Sequence, residues 1–207
     1  MHLTPSTLRG EAVVLQPLSE DQLPEIKRAA LSAPDVWRFI PYSMRDAADV
    51  EKVIRLALAM QSRGEAISFG TRLASTGELV GGTSIRRVDA ALPSVEVGGT
   101  WIVPAWQRTR VNTEAKLLQL THGFEQLGCQ RIELKTDVRN LRSQAAIQRI
   151  GGTREGGLRS HMRRADGSLR DSVLFSILAS EWAAVKERLL ARLASAEGAT
   201  LAVRVAG

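Results

Sequence analysis

A single cysteine, Cys129, stands in a chain of 207 residues. One thiol forms neither an intrachain disulfide nor a multi-cysteine zinc site, so Cys129 reads as a small apolar residue near a helix end and no metal is expected. Aromatic residues make up 4% of the chain, too few for a platform that stacks single-stranded nucleic acid. No uninterrupted apolar run approaches the roughly 18 residues of a membrane span. The opening residues, MHLTPSTLRGEAVVL, lack the charged start, long apolar stretch and cleavage site of a signal peptide. A soluble cytoplasmic protein without a membrane partner is therefore expected. What is present is ordinary for a packed core, with 44% hydrophobic and 24% charged residues. The length suits one domain. The net charge is +6, from 28 basic and 22 acidic residues. That surplus draws anions but says nothing of fold. Its one local concentration is Arg159, Arg163, Arg164 and Arg170. With so few aromatics, the charge is weak evidence for nucleic acid, and an acidic cofactor explains it as well.

Periodicity divides the chain into elements. Residues 11–18 alternate as a strand, and Ser19 with Gln22 has the spacing of a capping box for a helix from about Glu20. A loop around Pro34 and Pro41 holds Trp37, Phe39 and Tyr42, which either line a pocket or pack the core. Residues 47–62 repeat apolar positions at helical spacing. Residues 66–73, 78–88 and 94–103 read as a three-stranded meander with turns at STGE and DAALP. Pro104 ends the third strand. Residues 112–127 form the clearest helix, with Asn112 as N-cap, Glu114 in the first turn and Gly128 as terminator. Residues 131–138 alternate as a strand. A strand, helix and strand joined by short loops imply parallel pairing of the 94–103 and 131–138 strands. A helix at 142–150, stopped by Gly151-Gly152, two strands at 153–164 and 169–178, and a helix at 180–195 complete the order. The expected fold is a single mixed α+β domain. The tail after Gly198 carries no assignment.

One strand-loop-helix junction invites an anion. The strand ends at Val103-Pro104, and the loop AWQRTRV leads into the helix at Asn112. The first amides of a helix lack internal partners, and the helix dipole makes its start positive. A second helix start carries Asn140 and Ser143. Both asparagines also read as plain caps.

These residues carry a resemblance. Glu96, then Asn112-Thr113-Glu114-Ala115-Lys116, Glu133-Leu134-Lys135-Thr136-Asp137, Asn140 with Ser143, Glu155-Gly156, Leu158-Arg159 and Arg170-Asp171 together resemble a GNAT-superfamily N-acetyltransferase of the RimJ/RimL-like group. The similarity covers residues 8–182, leaving 183–207 as a C-terminal helix and tail. It implies a mostly antiparallel seven-stranded sheet with one splayed parallel pair, helices on both faces, and acetyl-CoA as acetyl donor. It further implies that the backbone of Trp101, Ile102 and Val103 pairs with the pantetheine amides. The loop Gln107, Arg108, Thr109, Arg110, Val111 and Asn112, with Thr113, cradles the pyrophosphate. Asn140 and Ser143 complete the site. Arg110 stands where the family's loop has a glycine able to take positive φ, and Asn112 where it has a small residue.

The implied reaction is direct attack of an amine on the thioester. A backbone amide near Ile102 or Val103 would polarise the carbonyl. The family's frequent leaving-group tyrosine is replaced by Ile147, so Ser143 takes that role. Glu96 is the expected base, acting directly or through water, with His161 as runner-up. His122 reads as structural or solvated. An α-amine of pKa about 8 is already partly neutral near pH 7, whereas a lysine near 10.4 needs roughly 4 to 5 kcal/mol of deprotonation. The acceptor is thus a peptide N-terminus or a small-molecule amine rather than a lysine side chain. The alternative is an acyl-CoA-binding regulatory module with weak chemistry. Homodimers are common in the group, though no residue here proves one.

Overall fold

The structure, a computed structural model, describes residues 2–89 and 91–205, with side chains through residue 195. Eight strands form one sheet in the order β1-β2-β3-β4-β5-β6-β8-β7. They are β1 (Leu8–Arg9), β2 (Val13–Pro17), β3 (Ala66–Leu73), β4 (Leu79–Asp89), β5 (Ser94–Ile102), β6 (Arg131–Asp137), β7 (Thr153–Arg163) and β8 (Leu169–Leu178). The sheet has one strand more than expected, because residues 8 and 9 fold back on β2 as β1. Five helices accompany it: α1 (Leu23–Leu31), α2 (Ala47–Ser62), α3 (Arg110–Thr121), α4 (Leu141–Arg149) and α5 (Trp182–Val205). One apolar cluster packs α3, α4 and α5 on the strands through Leu120, Ile132, Ile147, Phe175 and Leu189. A second lies under α1 and α2 and includes Ile26, Trp37, Val50 and Ile54.

All strand neighbours are antiparallel except β5 and β6. Their parallel register runs Ser94↔Arg131, Val95↔Ile132 and Glu96↔Glu133, then stops. Beyond it, β5 stays with β4 as far as Ile102, and β6 stays with β8 as far as Asp137. The pair opens like a fork. A bulge accompanies the parting: between Gly82↔Trp101 and Ser84↔Gly98, β5 holds two residues opposite Thr83. Gly99 sits in it at φ +61°, a conformation that favours glycine.

The bulge rests on Lys116. This α3 side chain is buried, and its Nζ donates to Thr83 Oγ1 at 3.0 Å, Thr100 Oγ1 at 2.7 Å and Gln119 Oε1 at 2.7 Å. Gln119 Nε2 donates in turn to the Ser84 carbonyl at 3.2 Å. A second helix-to-strand tie comes from Glu114, whose carboxylate accepts from the amides of Glu11, Ala12 and Val13 at 3.1, 2.7 and 2.7 Å.

Several boundaries differ from expectation. Ser19 makes no side-chain cap; a 3-10 turn at Glu20–Gln22 precedes α1, which carries Pro24 in its first turn. Asn112 is not the cap of α3. Thr109 is, with its hydroxyl accepting from Val111 N, and the helix starts two residues early because Thr109 supplies that oxygen. Past Thr121 the helix widens into a π turn at His122–Gln126, and Gly128 at φ +67° ends it. Asn140 caps α4 as expected, accepting from Ser143 N at 3.0 Å. The final helix continues past Gly198 to Val205, with residues 206–207 outside the described residues. Val185 and Leu189 of α5 belong to the main core. The turn after β4 includes residue 90, also outside the described residues.

Burial among neutral partners pulls the Lys116 ammonium down to about 7 from an ordinary 10.5. Between those values the unfolded chain binds the extra proton, so this residue makes stability rise with pH, by about 1.4 kcal/mol per unit. The Cys129 thiol, pushed by burial up to about 11, acts in the opposite sense above its ordinary value. Denaturant unfolding at pH 7 and pH 9 should therefore show wild type gaining about 2 to 3 kcal/mol relative to Lys116→Met over that interval. Equal pH slopes for the two proteins would place no ionisable amine in the cage.

Candidate active site

The fork opens into a cleft of about 800 Å³. β5 and β6 supply its walls, and the starts of α3 and α4, which both follow the separated ends of these parallel strands, border one end. Glu96, Trp101, Ile102, Gln107, Arg108, Thr109, Asn112, Thr113, Asn140 and Ser143 all line it, as the sequence reading brought them together. Val103, Arg110 and Val111 are not among its lining side chains.

Each exception has a local cause. The Val103 amide donates to Val80 O at 2.9 Å, which turns it toward β4. It is therefore unavailable as a carbonyl donor. Alternation along an antiparallel strand then turns the neighbouring Ile102 to the open edge of β5. The Ile102 carbonyl is held by Gln107 Nε2 at 2.8 Å, so its amide is the group left on that edge. Val111 is core, at 1% exposure. The Arg110 guanidinium lies 3.2 Å from Glu11 and 3.7 Å from Glu114, on the β1–β2 side of the helix.

The loop ahead of α3 is formed by its own bonds. Thr109 Oγ1 donates to Trp106 O at 2.8 Å and accepts from Val111 N at 3.3 Å. The left-handed residue of this loop is Arg108, at φ +63°. Arg110 is the first residue of the helix, so the position where glycine was expected needs no positive φ. Asn112 lies in the first turn of α3, and its Oδ1 is buried without a hydrogen-bond partner. A buried orphan polar atom at a helix start matches a ligand that brings a donor beside an anion.

Charge reinforces that fit. Among the described lining residues Glu96 is the one carboxylate, against nine lysines and arginines. Arg108 stands just ahead of α3 and Arg142 in the first turn of α4, while Arg149 lines the cleft from the end of α4 and Arg192 from α5. Sequence reasoning named Arg108 in the loop and missed the other three, because α4 and α5 bring them to the cleft only through the fold. A cleft so composed attracts anions.

At the other end, Glu96 is buried at 3% exposure. Arg86 Nη2 contacts it at 2.7 Å, Arg87 Nε at 3.2 Å and Lys135 Nζ at 3.1 Å. Burial favours its protonated form, yet Arg86 and Lys135 outweigh burial and hold its pKa below the usual carboxylate value. Arg87 reaches it from a strained backbone, φ +55°, where the β4 register slips. A carboxylate so held is a hydrogen-bond acceptor and a reluctant base. His161 also lines the cleft, at a bulge where β7 slips against β8. Its Nδ1 pairs with Ser172 Oγ at 3.0 Å, which leaves Nε2 to exchange a proton. Burial first, then Lys135, Arg87 and Arg170, lower its pKa, so the ring is neutral near pH 7. Trp37 and Trp101 pack against each other with centroids 5.0 Å apart, while Phe39 and Tyr42 line the cleft. His122 is half-buried in the π turn, outside the cleft lining. Among the described residues no cluster of three or more histidines, cysteines or carboxylates is placed to hold a metal. No described helix is long and apolar enough to cross a membrane.

Known proteins with this arrangement agree. The model of the acetyltransferase (GNAT) domain matches residues 12–153. YdaF of Bacillus subtilis (strain 168), which bears a provisional name as a ribosomal N-acetyltransferase, is 31% identical over 106 residues; the match spans 51% of this chain and 57% of that protein. The crystal structure of a GCN5-related N-acetyltransferase from Brucella melitensis superposes with a TM-score of 0.83 at 28% identity, covering 92% of this chain and 89% of that one. Mycobacterium smegmatis RimJ, in complex with CoA-disulfide, superposes at 0.75 with 26% identity, covering 93% and 97%. The forked sheet, the cationic cleft and these matches lead to one assignment: the chain belongs to the GNAT acetyltransferase family, within its RimJ/RimL-like group.

Proposed function

We propose that this protein transfers the acetyl group of acetyl-CoA to a primary amine that is weakly basic, such as a peptide N-terminus or a small-molecule amine. The observation that carries the proposal is the open edge of β5 beyond Glu96, facing a cation-rich cleft bordered by two helix starts. The RimJ complex with CoA-disulfide adds a relative of this fold that holds the coenzyme's skeleton. Acetyl-CoA, when bound, supplies an activated acetyl group and a thiol that departs. The α3 start and Asn112, with Arg108, would hold its phosphates, and the β5 edge at Ile102 its amide-bearing arm. The Ile102 amide would donate to the thioester carbonyl oxygen as it gains charge, and the Ser143 hydroxyl would donate to the departing sulfur.

Glu96 fits an anchoring role. Held ionised by its cations, it accepts a hydrogen bond from an incoming amine and orients it. Neutral His161 is the better proton acceptor, with Nε2 directed to the task by the Ser172 contact. Because neither group is a strong base, the acceptor must arrive mostly neutral, which favours an α-amine over lysine. The same restraint on Glu96 favours, as a second reading, a module that binds acyl-CoA and turns over poorly. Tight binding without thiol release for any amine would select it. A cytoplasmic location and a homodimer belong to the proposal through the group resemblance alone.

Asn112→Asp should weaken CoA binding tenfold or more by calorimetry, because it sets a carboxylate beside the phosphates. An unchanged affinity would remove α3 from the phosphate site. Ser143→Ala should lower kcat about tenfold while leaving CoA affinity within twofold, read by thiol release and calorimetry. In pH–rate profiles, His161→Gln should abolish the ionisation of the free enzyme below pH 7. Glu96→Gln should depress kcat/KM across the whole range without moving the profile. The reverse pattern would make Glu96 the base.

A further inference from the structure

A second hollow adjoins the cleft. It measures about 590 Å³ and lies between the α1–α2 layer and the sheet. Ile26, Trp37, Val53, Ala57, Met60 and Phe69 give it an apolar lining. The hollow and the cleft share five lining residues: Pro41, Tyr42, Arg86, Gly99 and Trp101. Gly99 is the bulge glycine, so no side chain stands between the two spaces at that point. Trp101, packed at a tilt on Trp37, forms part of the partition.

Most charged groups at its rim are engaged. Asp49 accepts from the Ser43 hydroxyl and from Arg45 N, the latter at 3.1 Å. Arg86 pairs with Glu96 at 2.7 Å, Arg164 with Asp137 at 2.6 Å, and Arg163 donates to Gly167 O at 2.8 Å. Lys52, the remaining charged lining residue, is exposed. A charged substituent entering this space would lose its hydration against mostly apolar walls, whereas an apolar one would leave water for them. The volume is that of a small-molecule pocket.

We infer that this hollow is the subsite for the acceptor's substituent, and that the acceptor is a primary amine carrying a bulky apolar group, its nitrogen lying at the Gly99 junction beside Glu96. The inference deepens the proposed function and rests on the cleft being the acetyl-donor site. A side chain of leucine or phenylalanine size at a peptide N-terminus supplies this chemistry, and so does a free amino-acid amide such as phenylalaninamide.

The experiment measures thiol release with acetyl-CoA and two acceptor series. One runs from glycinamide through leucinamide to phenylalaninamide. The other is the tripeptides X-Ala-Ala with X as Gly, Asp, Leu or Phe. CoA binding is measured in parallel by calorimetry. The expected result is a kcat/KM at least tenfold higher for the bulky apolar members of one or both series, and the better series identifies the source of the amine. Ala57→Phe, which fills the hollow, should erase that preference while CoA affinity stays within twofold. Met60→Ala, which enlarges the hollow, should shift the preference toward larger groups; it decides the matter if Ala57→Phe unfolds in a thermal scan. Equal or faster turnover of glycinamide, Gly or Asp acceptors, or a preference that survives both substitutions, overturns the inference while leaving the acetyltransferase reading intact. Absence of CoA binding to the wild type overturns that reading and the subsite with it.

Discussion

The rest of the site depends on two strands that part. β5 and β6 pair over Ser94–Glu96 and then separate, because each holds to its other neighbour. That separation leaves backbone groups of β5 with no strand to satisfy them, and such groups need a partner. A ligand with amides of its own can be that partner. The bulge at Gly99 bends β5 at the same point, and the Lys116 cage fixes the bulge from below. Separation, bulge and cage therefore form one device, and the cleft is its outcome.

Charge is sorted along this device. At the helix starts, Arg108 ahead of α3 and Arg142 in the first turn of α4 face open space suited to an anion. At the fork, cations meet a carboxylate at close range, so their charge is spent internally. The positive surplus of the chain thus acts mainly at one end. Chemistry at the other end proceeds with groups held near neutrality, which restricts the amine it can use. The apolar hollow beyond Gly99 continues the gradient from charged to greasy.

Much of the fold was legible because its signals are local. The alternation of Ile132, Leu134 and Thr136 identified β6, and the short connections around α3 required its parallel pairing with β5. Gly128 and Asn140 act as the terminator and cap their types suggest. The failures share a cause: competition between neighbouring polar residues. Thr109 and Asn112 are both good caps, and the choice fell to Thr109 because its carbonyl-bound hydroxyl was already in position. Arg110 looked disruptive since glycine tolerance matters only at a left-handed residue, and the loop places that residue at Arg108 instead. Glu96 announced itself by position, but its three cationic neighbours come from β4 and β6, whose register no single segment reveals. Lys116 entered the sequence reading only as the last residue of the Asn112–Lys116 motif, with no partner assigned. Only the packed structure shows it enclosed.

Glu114 carries a further implication. Its carboxylate gathers the amides of residues 11–13, so the first strands of the sheet and the opening turn of α3 are fastened together. Disturbance near the amino terminus is thereby transmitted to the mouth of the coenzyme cleft, although the two are separated by a hundred residues of chain. A tag, a trimmed end or a partner gripping β1 would be felt there as a mechanical pull rather than as a lost contact.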